Sequence, residues 1–215
     1  MYTGPWLLDA KKHFSATNCE GAAIGEYIVK YKTIRQELLE KVLSWKVDYD
    51  GLESIEEYMS KHQYDTDCMD LWMYDQDVIN WVHKLFPEYR KRKTIITNQE
   101  WGLLYNKYHS NTYNPNEFEQ TIERLMKDED VQNKRGVVSY LFDGAEKHLN
   151  LRAFSESQKL AAYEEQNGIC PICGNHFEFD QMEGDHRIPW VDGGKTTTNN
   201  CQMLCKKCNR EKSDN

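Results

Sequence analysis

The sequence predicts a mainly α protein, with a helical domain over residues 1–150 followed by a small ββα finger over residues 151–215 that includes its own lead-in helix. Three observations predict it. Apolar residues recur at helical spacing from about Gly21 to Gln166. That periodicity stops at Gly168, and two CxxC pairs then bracket a short, turn-rich stretch.

In chain order, Ile34, Leu38, Val42 and Trp45 form one apolar stripe, and Leu71, Val78, Val82 and Leu85 form a second, closed by Pro87. Phe118, Ile122, Leu125 and Met126 form a third, opened by Asn114-Pro115 as cap and first-turn proline. The run Tyr89-Arg-Lys-Arg-Lys93 reads as a solvated linker. Ser155-Glu-Ser-Gln158 is a capping box, and its helix should end near Asn167-Gly168 and deliver the chain to the first CxxC. Beyond it, Phe177 and Phe179 flank an alternating segment, Glu183 to Ile188 suits a second strand, Asp192-Gly193-Gly194 suits a turn, and a last helix is expected from Leu204.

The 215 residues, 39% hydrophobic, 12% aromatic and 29% charged, have the composition of an ordinary globular protein, which excludes a disordered chain. No apolar run approaches the roughly 18 residues that span a bilayer, and Met1 to Trp6 lacks the pattern of a secretion signal. No membrane partner and a cytoplasmic location are expected. The net charge of -8 argues against a polyanionic partner until its distribution is considered. Residues 1–169 carry 21 basic and 28 acidic side chains, whereas Arg187 to Lys212 carries six basic and two acidic.

Seven cysteines in a reducing compartment point to metal rather than disulfides where their spacing is paired. Cys170-Pro-Ile-Cys173 and Cys205-Lys-Lys-Cys208, 31 residues apart, can supply four thiolates to a tetrahedral Zn2+ that staples the finger. Such a site is closed to water and substrate, so chemistry there needs a second ion. Cys19, Cys68 and Cys201 read as small buried residues. His13, His62, His83, His109, His148 and His176 read as surface or structural histidines.

Between the knuckles stand Glu183-Gly-Asp-His-Arg-Ile-Pro-Trp190, Gly193-Gly194 and Asn199-Asn200, and Asn209 follows the second knuckle. This order resembles the HNH, or His-Me finger, endonucleases. The resemblance implies His186 as general base, Asp185 and Asn209 as ligands of a catalytic Mg2+ or Mn2+, and Asn200 as the residue that fixes the histidine's geometry. One imidazole with an ordinary pKa of about 6.5 can deprotonate water, and a cation can neutralise the phosphate. Asparagine's neutral oxygen favours hard ions. Arg187, Lys195, Lys206, Lys207, Arg210 and Lys212 are candidates to engage the phosphates of DNA.

Leu151-Arg-Ala-Phe-Ser155, Tyr163 to Cys170, Trp6 to Ala10, Ile55 to Met59 and Trp101 to Asn106 are similar to the C-terminal half of bacterial restriction and defence proteins. Those carry an HNH nuclease after a ParB-like NTP-handling domain, which this sequence lacks. A partner subunit or such an upstream domain, in a longer parent protein, is therefore expected to supply targeting, and a homodimer is compatible. Two alternatives stand beside a DNA endonuclease: a non-catalytic zinc finger that binds nucleic acid or protein, and an RNA-directed nuclease.

Overall fold

The computed structural model describes residues 4–14, 36–97 and 99–213. The chain divides into two compact units, one of Met1–Lys127 with Asn133–Leu149 and one of Asp128–Gln132 with Asn150–Asn215. The five residues 128–132, which the sequence reading left with the helical part, belong to the second unit.

The first unit is helical, with α1 (Pro5–Phe14), α2 (Gln36–Tyr49), α3 (Ile55–His62), α4 (Met69–Leu85), α5 (Lys93–Ile96), α6 (Trp101–Tyr108), α7 (Pro115–Lys127) and α8 (Val137–Asp143). Their boundaries follow from local chemistry. The Ser54 hydroxyl accepts the Glu57 amide at 3.2 Å and starts α3. Asn114 Oδ1 accepts the Asn116 amide at 3.0 Å, and Pro115 opens α7, whose Phe118, Ile122 and Leu125 are buried. Helix α4 buries Leu71, Val78, Val82 and Leu85 and ends two residues before Pro87. Leu38, Val42 and Trp45 are buried on α2, while Ile34 and Cys19 fall outside the described residues.

Two indoles anchor this core with their polar ends satisfied. Trp45 Nε1 donates to Glu100 at 3.0 Å, and Trp101 Nε1 donates to the Ile96 carbonyl at 3.0 Å. Gly102 is required, since a Cβ there would lie 2.2 Å from the Trp45 ring. The run 89–93 is more than a solvated linker: Arg92 pairs with Glu119, and Lys93 starts α5. No helix among the described residues is long and apolar enough to cross a membrane.

The second unit contains α9 (Glu156–Glu165), β1 (Met182–His186), β2 (Cys201–Cys205) and α10 (Lys206–Ser213). The strands are antiparallel, with Met182 opposite Cys205, Asp185 opposite Gln202 and His186 opposite Cys201. Ser155 and Gln158 form both bonds of the capping box that opens α9. Asn167 (φ 51°) and Gly168 (φ 69°) turn the chain after α9. Gln166 then grips β2 from the side, accepting the Met203 amide at 2.7 Å and donating to the Met203 carbonyl at 2.9 Å. The core gathers Phe154, Ala162, Met182, Cys201, Met203 and Leu204 around buried knuckle cysteines.

The strand assignments require correction. Phe177–Phe179 is not a strand: Glu178 and Gln181 cap each other's backbone and wind residues 179–181 into a single 3-10 turn. The partner of β1 is Cys201–Cys205, so Leu204 lies in a strand and the last helix begins at Lys206.

Candidate active site and metal centre

The knuckle following α9 and the β2–α10 junction bring four sulfurs together. The ligand atoms of Cys170, Cys173, Cys205 and Cys208 all lie within 4.8 Å of one another. The Cys208 amide approaches Cys205 Sγ at 3.5 Å, the N–H to sulfur contact expected when a turn wraps a thiolate. Gly174 (φ 71°) supplies the left-handed residue that closes the first knuckle. Burial pushes the Cys170 thiol up, but amides of Cys173, Cys205 and Ile172 outweigh it and hold it down at about 7. Cys208 is pushed up to about 12, first by its hydrogen bond to Cys205 and then by burial. Four crowded sulfurs cannot all ionise without a cation among them, and that donor set fits a tetrahedral metal such as zinc.

Strand β1 ends at His186, and its alternation puts Glu183 and Asp185 on one face. Helix α10 meets that face with residues three apart. Asn209 Nδ2 donates to Glu183 Oε2 at 2.7 Å, and Lys212 Nζ lies 2.5 Å from Asp185 Oδ2 and 2.7 Å from the His186 carbonyl. Gln202, opposite Asp185 on β2, donates to the same Oδ2 at 2.8 Å. The Asp185 carboxylate thus already holds a cation, the Lys212 ammonium, so its setting suits positive charge. Helix α10 thus sets Asn209 against Glu183 and Lys212 against Asp185, on one face of β1.

The His186 ring is half-buried, tilted against Phe154 with centroids 4.5 Å apart. Its Nε2 lies 3.1 Å from Thr196 Oγ1. Burial lowers its pKa below the usual 6.5; Asp185 and Asp130 pull the other way, and Lys212 adds to the lowering. Burial thus favours the neutral form of the ring.

Asn200 makes no hydrogen bond to that ring. Its Oδ1 accepts the Ile188 amide at 2.8 Å, and its Nδ2 donates to the carbonyls of Ile188 and Lys195, both at 3.0 Å. It clamps the loop that leaves His186. Gly194 completes this clamp, because a Cβ there would stand 1.9 Å from the Ile188 carbonyl oxygen and 2.8 Å from Asn200 Nδ2.

The basic candidates divide. Lys206 and Lys207 on α10 are exposed, with Lys207 3.9 Å from Glu211. Arg210 is exposed and donates back to the Lys206 carbonyl at 3.2 Å. Three others are engaged inside the unit: Arg187 with the Cys201 carbonyl and Glu165, Lys195 with Asp128, and Lys212 with Asp185. Sequence reasoning missed Thr196, Asp130, Gln202 and Glu183. Glu183 alone had a local signal, two residues before Asp185 on the same strand face.

Comparison with known proteins adds the following. The HNH endonuclease family model matches residues 170–215. The chain is 39% identical over 54 residues to the Type IV methyl-directed restriction enzyme EcoKMcrA of Escherichia coli (strain K12), covering 22% of this chain and 20% of that protein. The chain thus spans only about a fifth of that relative's length. No solved structure gives a significant match. The likeness to HNH endonucleases is thus carried by residues 170–215.

Proposed function

We propose that the chain is a metal-dependent endonuclease that hydrolyses phosphodiester bonds in DNA and serves restriction or antiviral defence. One observation carries the reading. A half-buried imidazole, His186, stands next in sequence to a carboxylate, Asp185, that already holds a cation. The family match and the restriction enzyme relative support the same reaction class.

In this reading Cys170, Cys173, Cys205 and Cys208 hold a structural Zn2+, and Asp185 and Asn209 hold Mg2+ or Mn2+. When bound, the hard ion supplies Lewis-acid stabilisation of charge on the phosphate and the departing oxygen. The chain's own residues do the rest. His186 takes the proton of the attacking water. Phe154 covers one side of the imidazole and limits its hydration. Glu183 orients the Asn209 amide through its Nδ2. Asn200 and Gly194 hold the loop that follows the histidine. Lys206, Lys207 and Arg210 attract flanking phosphates. The helical unit, Met1–Lys127 with Asn133–Leu149, serves targeting.

The test is cleavage of supercoiled plasmid, modified DNA and RNA with Mg2+ or Mn2+, comparing the native chain with His186→Ala at equal zinc content. Loss of about 100-fold or more in rate is expected of the variant. Equal cleavage by both proteins would overturn the assignment.

A further inference from the structure

The geometry points to Thr196 as the positioning residue that fixes which nitrogen of His186 accepts the proton, with Asp130 anchoring Thr196. The inference deepens the proposed function and rests on His186 being the base. It begins with proton counting. A threonine hydroxyl has one proton to give and two lone pairs. Thr196 Oγ1 donates to the Arg152 carbonyl at 3.2 Å, an oxygen that can only accept. What it presents to His186 Nε2, 3.1 Å away, is therefore a lone pair. Nε2 must carry the ring proton, and Nδ1 keeps the lone pair that receives a proton from water. The opposite tautomer would set two lone pairs against each other in a half-buried site.

The hydroxyl is built to hold this orientation. Thr196 is 7% exposed, and its β-branched side chain has few rotamers. Its amide donates to Asp130 Oδ2 at 3.1 Å, and its carbonyl accepts from Gln158 Nε2 at 3.2 Å. Three stretches of chain, at 130, 152 and 158, thus pin one residue. Asp130 is buried at 6% exposure, and its own carbonyl accepts the Arg152 amide at 2.8 Å, next to the Val131 to Leu151 bridge. Asp128 beside it takes the Lys195 ammonium at 2.6 Å. Residues 128–132 therefore form a two-carboxylate clamp on Lys195 and Thr196, which accounts for their place in this unit.

The experiment uses the full-length, zinc-loaded chain. Imidazole nitrogen NMR at about pH 8, above the histidine pKa, reads the tautomer directly. Nε2–H is expected for His186 in the native chain; Nδ1–H there would overturn the inference whatever the variants do. Thr196→Val keeps the shape and removes the lone pair, and a mixture of tautomers is expected. Its kcat should fall about 10-fold to 100-fold with KM within about twofold. Thr196→Ser restores the lone pair and should stay within about threefold of the native kcat. A valine variant that keeps native kcat and a pure Nε2–H ring overturns the role, as does a serine variant impaired as deeply as valine. If the native chain cleaves nothing with either ion, the base assignment fails, while the NMR result still decides what Thr196 does to the ring.

Discussion

Replacing Lys212 by methionine should tighten the binding of Mn2+ to the nucleic-acid-free protein. In the structure the Lys212 ammonium stands 2.5 Å from Asp185 Oδ2 and also donates to the His186 carbonyl. It occupies the carboxylate oxygen that a divalent ion would seek. Opposite unit charges about 4 Å apart attract by about 4 kcal/mol at an effective dielectric near 20. Most of that is returned as lost hydration and side-chain entropy. The two side chains are 30% and 21% exposed, so a net of about 1 kcal/mol is the appropriate size. The ion must meet this cost when it displaces the ammonium, and without Lys212 the Mn2+ affinity should rise about fivefold.

Titration of Mn2+ by electron paramagnetic resonance on zinc-loaded native, Lys212→Met and Asp185→Asn proteins reads the effect without catalysis. Unchanged or weaker binding by Lys212→Met would refute the competition. Unchanged binding by Asp185→Asn would refute Asp185 as a ligand. The same substitution has a pH signature. Lys212 lowers the His186 pKa together with burial, against Asp185 and Asp130. Its removal should therefore shift the acid limb of the cleavage profile to higher pH.

Two further outcomes follow from buried groups. Asp75 on α4 is 2% exposed, and burial pushes its carboxyl from 3.8 to about 7. The folded state then binds the proton more tightly than the unfolded chain, so stability is fullest below about pH 4 and declines as pH rises toward 7. The loss amounts to about 4 kcal/mol at 1.36 kcal/mol per tenfold change in affinity. Asp75→Asn should flatten this slope in denaturant melts between pH 4 and 8, and an unchanged slope would refute it. Removing zinc should open residues 150–215 to limited proteolysis while the helical unit stays intact. The core of residues 150–215 is small, and four of its members are knuckle or strand cysteines. The same digestion pattern after verified metal removal would count against a structural ion.

What the sequence disclosed about this chain was what is local along it. Two CxxC pairs can be read because a knuckle is a four-residue object, and the structure gathers all four sulfurs. The capping box at Ser155 and the stripe of Phe118, Ile122 and Leu125 are legible for the same reason. The strands were misplaced because a two-stranded ribbon is specified by its pairing. Phe177 and Phe179 have the better alternation, but Cys201–Cys205 has Gln166 along one edge and the second cysteine knuckle at its end. Thr196 and Asp130 lie beyond sequence reasoning altogether. They are 66 residues apart, and nothing in Thr196-Thr-Thr198 marks the first hydroxyl as the one that meets the imidazole. The motif points to the proposed base, but the contact proposed to set its tautomer joins distant segments. A site matched by its motif alone can therefore carry every named residue and still lack the hydroxyl that faces its histidine.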